Sequence, residues 1–161
     1  MPPDDEWTDE LAVAYEKTRK FFLIHKDKDC IPLFLNSFGT GEGLGLYQLV
    51  QEVFQLFSVK EMLLPLSKAL HSEHESVRLR AAQAVNLFPD ERLIKPLLWA
   101  IHHSAAPIRL SCYRALESIQ QATGNDYREQ ILKLSEERLK KEQDKFNIEF
   151  LQQLKINLST K

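Results

Sequence analysis

One stretch of this sequence occurs twice. The segment VKEMLLPLSKALHSEHESVRLRAAQAVNLF, Val59 to Phe88, lies over ERLIKPLLWAIHHSAAPIRLSCYRALESI, which ends at Ile119, without a gap. Pro65 falls on Pro96, Ala69 on Ala100, Leu70 on Ile101, His71 on His102, Val77 on Ile108, Arg78 on Arg109, Ala84 on Ala115 and Phe88 on Ile119, a period of 31 residues. Inside each unit the apolar residues recur at steps of three and four: Leu63, Leu66 and Leu70, then Val77, Ala81, Ala84, Val85 and Phe88. That spacing predicts two short helices per unit, joined by a polar turn, HSEHES in one copy and HHSAAP in the other. A pair of short helices cannot bury its apolar faces alone, so consecutive pairs are expected to stack.

These residues resemble the HEAT family, of the bacterial type found in phycobilin lyases. The first helix carries a proline, Pro65 or Pro96; the second opens on Val77-Arg78 or Ile108-Arg109 and continues with small residues, Ala81-Ala82 and Ala115. Clear matching covers about sixty residues. The tail ALESIQQATGND also looks like the end of such an array, with Gly124 placed to stop a helix in the left-handed conformation. The resemblance implies an all-α chain wound as a right-handed α-α superhelix, an armadillo-like HEAT solenoid, with N- and C-terminal capping helices.

A degenerate unit is expected ahead of the clear ones. Stepping back 31 from Phe88 lands on Phe57, where LYQLVQEVFQLF has second-helix periodicity, and DCIPLFLNSF with Pro32 supplies a first helix. The expected organisation is a single domain over 1–161. It comprises a cap helix at 5–25, HEAT-like repeats at 29–57, 59–88 and 90–119, and a helical cap at 126–158. On the first cap Trp7, Leu11, Tyr15, Thr18 and Phe22 trace one face; on the last, Asp126 is expected as a cap and a break is placed near Asp144 to Asn147.

Composition narrows the function. With 161 residues, 43% of them hydrophobic and 27% charged, the chain can bury about two-thirds of its unfolded surface and fold alone. A formal charge of −2 and a pI near 6.2 provide no global field for nucleic acid or acidic lipid. Two cysteines, Cys30 and Cys112, are too few for a disulfide framework. The opening MPPDDEWTDE is acidic where a signal peptide is basic, and no apolar run approaches a membrane span. A cytoplasmic protein that binds neither membrane nor nucleic acid is expected.

Candidate chemistry is sparse. Glycines 39, 41, 43 and 45 lack the terminal Lys-Ser/Thr of a P-loop, and Leu44 breaks a dinucleotide fingerprint. His71, His74, His102 and His103 occupy equivalent turns and are weak metal candidates. A structural zinc site usually brings four closely spaced ligands, so exposed turn histidines and no metal or other cofactor are expected. The carboxylates Glu6, Asp9, Glu10, Glu136 and Glu137 read as solvated helix faces, and no serine sits in an elbow motif; no catalytic residue emerges.

The remaining signal is what the second helices turn outward. With Val77, Ala81, Ala84 and Phe88 facing inward, Leu79, Ala82, Gln83 and Asn86 face away, and the next repeat places Leu110, Tyr113, Arg114 and Glu117 there. In the HEAT family second helices line the concave face. The resemblance therefore implies an adaptor or scaffold gripping a protein partner through Leu79, Gln83, Leu110, Tyr113 and Arg114, with Trp99 offering a further contact on the outer face. The competing reading is that the C-terminal segment folds back over this strip. In the family the arginine at the Arg78 and Arg109 positions ties repeats together through acidic turn residues; Arg109, whose own turn has none, is expected either to reach Glu75 or to meet a partner's carboxylate or phosphate. The resemblance also admits a phycobilin-lyase-like chromophore-handling role. Leu132, Leu139 and Phe146, seven apart, allow a homodimer through the C-terminal helices.

Overall fold

The computed structural model describes residues 8–39, 45–124 and 127–160. Every regular element among them is helical, with no strand. In chain order these are α1 (Asp9–Ile24), α2 (Cys30–Leu35), α3 (Leu46–Phe54), α4 (Val59–Leu70), α5 (Glu75–Val85), a 3₁₀ turn (Glu91–Leu93) running into α6 (Ile94–His102), α7 (Ala106–Thr123), α8 (Arg128–Leu139) and α9 (Lys145–Ser159). No helix among the described residues is long and apolar enough to cross a membrane. Trp7, Gly41, Gly43 and Asp126 lie outside the described residues.

Local chemistry sets the helix starts. Thr8 accepts from the Leu11 amide at α1, and Asp144 accepts from the Asn147 amide at α9. Ser58 and Glu61 form a reciprocal capping box at α4; such caps satisfy amides that the helix itself leaves without partners. The strong start helps α4 tolerate Pro65 in its interior, where a backbone hydrogen bond is lost. Pro96 lies in the first turn of α6, where that loss costs nothing. At the far end of α7, Gly124 has φ +73° and ψ −134°. The positive φ is as expected, but the pair lies away from the left-handed helical well, in territory that suits glycine alone.

The two copies of the repeat are helical hairpins lying side by side: α4 packs on α5 and α6 on α7, while α4 also meets α6 and α5 meets α7. Met62, Leu66 and Leu70 from α4, Leu97 and Ile101 from α6, Val77, Ala81 and Val85 from α5, and Ile108, Cys112, Leu116 and Ile119 from α7 fill one core. Full burial of each large side chain contributes about 1.5–3 kcal/mol. The helix ends do not all keep the gapless register. His71 is the C-cap of α4 and His103, not His102, is the C-cap of α6, because α6 runs one residue further and its turn is one residue shorter.

Both ends depart from the repeat. α3 packs chiefly on α1, and α2 on α4 and α5. On α1, Leu11, Tyr15 and Phe22 face inward in part as expected, but Thr18 is exposed and its neighbour Arg19 is buried instead. Arg19 is held by Glu16 at 2.7 and 2.8 Å and by Glu52 of α3 at 2.6 Å, so an ion-paired guanidinium takes the place foreseen for the hydroxyl. At the other end α8 and α9 form a third hairpin, packed on α7, with residues 140–144 as the turn. That turn puts Phe146 on a different helix from Leu132 and Leu139, leaving Phe146 71% exposed while the two leucines are half-buried. The seven-residue spacing therefore does not make one continuous stripe.

Candidate functional site

The expected outward strip is present in part. Leu79 and Gln83 on α5 and Leu110 on α7 are half-buried, and Arg114 is exposed. The flanks of the strip are occupied: the Arg80 Nη1 donates to Gln83 Oε1 at 3.3 Å, and the Arg114 guanidinium lies 5.9 Å from the centroid of the Phe150 ring on α9. Two residues assigned to the open face are buried. Ala82 and Tyr113 are both fully buried, because a small side chain on α5 admits close packing and the C-terminal hairpin folds against α7. Of the two readings of the strip, coverage by the C-terminal segment describes Tyr113; Leu79, Gln83, Leu110 and Arg114 keep solvent access.

What covers Tyr113 is a polar cluster that the sequence did not signal. Its hydroxyl donates to Glu142 Oε2 at 3.0 Å and accepts from Arg138 Nε at 3.3 Å. Glu142, in the turn between α8 and α9, has no exposed side-chain surface. It accepts from Arg109 through both oxygens and from the amides of Gln143 and Asp144 at 3.1 and 3.2 Å. Burial pushes its carboxyl up, but the Arg109 fork, the two amides and Tyr113 outweigh that and hold it down at about 2. Burial raises the Tyr113 hydroxyl to about 12.

Arg109 thus pairs with Glu142 and not with Glu75. Its role parallels that of Arg78. Each donates to a carbonyl five residues back in its own turn, Arg78 to Glu73 at 3.0 Å and Arg109 to Ser104 at 3.0 Å. Each also reaches the turn of the next hairpin: Arg78 meets His103 O at 3.2 Å and Ser104 Oγ at 2.8 Å, and Arg109 meets Glu142. Glu75 also joins the two turns, accepting from Arg78 at 3.2 Å and from the Ala105 amide of the next hairpin's turn at 3.3 Å. A guanidinium has five donors in a rigid fork, which lets one side chain join two turns.

The turn histidines have other partners. Trp99 is half-buried rather than free on the outer face; the ring of His103 stacks on it at 4.2 Å and 13°, and that of His71 tilts against it at 4.7 Å. Nδ1 of His71 bonds Ser67 O and Nδ1 of His103 bonds Trp99 O, both at 2.7 Å. A carbonyl only accepts, so each ring carries a proton on Nδ1. His74 is exposed at the N-cap of α5 without a side-chain cap bond, and His102 Nδ1 faces Arg138 Nη1 at 3.5 Å. Among the described residues no three His, Cys, Asp or Glu side chains cluster as a metal site would require. Burial raises the Cys112 thiol to about 12 and the Cys30 thiol to about 11, which keeps both as inert core residues near neutral pH.

A shallow cleft of about 290 Å³ opens between the ends of α7 and α9, lined by Glu117, Gln120, Gln121, Arg128, Leu154, Asn157, Leu158 and Thr160. Its arginine already donates Nε to Leu158 O at 2.6 Å. The element before Gly39 is the helix α2 and not the strand that precedes a P-loop, and the Gly39 amide is taken by the Tyr47 hydroxyl at 2.7 Å. No protein family, curated protein or solved structure matches the chain.

Proposed function

We propose that the protein is a non-catalytic adaptor or scaffold of the HEAT-like kind, a right-handed helical solenoid closed by terminal caps, which holds a protein partner on the face formed by its second helices and works in the cytoplasm. The observation that carries this reading is the side-by-side packing of α5 and α7, which sets Leu79 and Gln83 beside Leu110 and Arg114 with solvent access retained. Apolar side chains next to an arginine are what interface centres tend to contain. The buried arginines supply the other requirement. Arg78 and Arg109 join successive turns, so the face is held in one shape before a partner arrives and less ordering entropy is lost on binding.

The test is affinity capture from the native cell with the wild-type chain and with the Leu79→Asp/Leu110→Asp double variant, both checked by circular dichroism and thermal unfolding. Loss of a partner from a variant that keeps its helicity and melting supports the reading. Retention of every partner would sink it, and collapse of the fold would assign both leucines to the core.

A further inference from the structure

On the C-terminal hairpin, Arg138 stands outside the ion pairs of the described residues. Arg19, Arg78, Arg92 and Arg109 each pair with an acidic side chain within 4 Å, but Arg138 forms no such pair among the described residues. It is half-buried and held in place: Nε donates to the Tyr113 hydroxyl at 3.3 Å, and that hydroxyl is fixed in turn by Glu142. Its Nη1 points to His102 Nδ1 at 3.5 Å, so a neutral imidazole accepts from it. Burial lowers the His102 pKa, and Arg138, His103 and Lys141 act in the same direction. Of the acids near Arg138 in the sequence, Glu136 is paired with Lys155 at 2.9 Å and Glu142 with Arg109, and exposed Glu137 forms no ion pair with it among the described residues. The result is an oriented guanidinium beside other basic side chains on a chain whose net charge is −2.

We propose that His102, Arg138 and Lys141 form a seat for an acidic peptide segment, with Arg138 taking a carboxylate through the Nη donors that His102 does not occupy and Lys141 supplying the surrounding field. A guanidinium fork matches a carboxylate's two oxygens, and a fork already oriented loses little entropy on binding. The seat rests on the adaptor reading in one respect: it names the chemistry of the segment the partner presents. It lies beside the turns of α6–α7 and α8–α9, so its failure is separable from failure of the α5–α7 face.

The experiment titrates the full chain with a capped hexaglutamate peptide at low salt, following the His102 side-chain resonances by NMR. Capped hexalysine, inorganic phosphate and a short DNA duplex serve as parallel probes. Hexaglutamate is expected to shift His102 saturably, to weaken several-fold between roughly 50 and 300 mM salt, and to lose about tenfold in affinity in Arg138→Gln and in Lys141→Glu. Lys141 is exposed, so its variant reports even if Arg138→Gln destabilises the hairpin. No shift with hexaglutamate, or the same affinity in both variants, would overturn the proposal. Phosphate or DNA binding there more tightly than hexaglutamate would also overturn it. Hexaglutamate binding that survives in Leu79→Asp/Leu110→Asp while partner capture is lost would uphold both sites as separate.

Discussion

Arg109→Met isolates the bond that pins the C-terminal hairpin to the rest of the stack. The Glu142 side chain has no exposed surface and that of Arg109 is 19% exposed, so the variant leaves a buried carboxylate with only a hydroxyl and two amides. A folded-state pKa of about 2 against an ordinary 4.5, at about 1.36 kcal/mol per unit, makes the ionised form worth roughly 3 kcal/mol of stability at neutral pH. That agrees with the range for breaking a buried pair by removing one partner. A depressed carboxyl pKa contributes stability in full above the unfolded value and loses it as pH falls toward the folded value. The contribution is therefore complete at pH 7, shrinks below about 4.5, and is down to roughly 1 kcal/mol at pH 3. With a urea slope of roughly 2 kcal/mol/M for a chain this size, Arg109→Met should shift the unfolding midpoint by roughly 1.5 M at pH 7 and by roughly 0.5 M at pH 3. Comparing variant with wild type at each pH cancels Glu16, whose carboxyl the Arg19 fork also holds down at about 2. A loss below about 0.5 kcal/mol at pH 7, or one equally large at both pH values, refutes the reasoning; Arg109→Met/Glu142→Met should recover part of the loss, because it removes both charges.

Arg78→Met severs the equivalent tie one hairpin earlier and should cost about 3 kcal/mol, or about 10 °C in Tm for a chain of this length; Arg78→Lys, without the fork, should recover less than half of it in the same melt. Tyr113→Phe removes one hydroxyl from the Glu142 cluster and should cost about 1 kcal/mol by urea unfolding, whereas Tyr113→Asp should unfold the C-terminal hairpin, read as lost protection of the α8 and α9 amides in hydrogen exchange. An added Cβ at Gly124 meets nothing within 4 Å, so the cost of Gly124→Ala, about 1–2 kcal/mol by thermal melt, is that of a positive φ in an L-residue; an unchanged melt would show that the α7 terminus relaxes freely. Ser58→Ala should lose about 1 kcal/mol through the α4 capping box, checked by the same method.

Read alone, the sequence determined the helical class, the paired hairpins from Val59 and Glu91, and the inward set of Val77, Ala81, Ala84 and Phe88. The helices and their inward faces follow from spacing within about ten residues, where a 3.6-residue period allows few alternatives, and the pairing of the hairpins follows from the 31-residue repeat. The Gly124 stop and the break before Lys145 were legible for the same reason. The fate of Tyr113 and Arg109 was not. Both depend on Glu142, which lies 29 and 33 residues further along in a charged stretch without periodicity, and only tertiary packing brings it to the face of α7. Thr18 and Arg19 exchanged roles through Glu52, 33 residues from Arg19 on α3, and Trp99 lost its free face to His71 of the neighbouring hairpin. Apolar periodicity reports which side of a helix is oily; which polar groups share a buried site depends on how separate helices approach, and one sequence encodes that only through the folded chain.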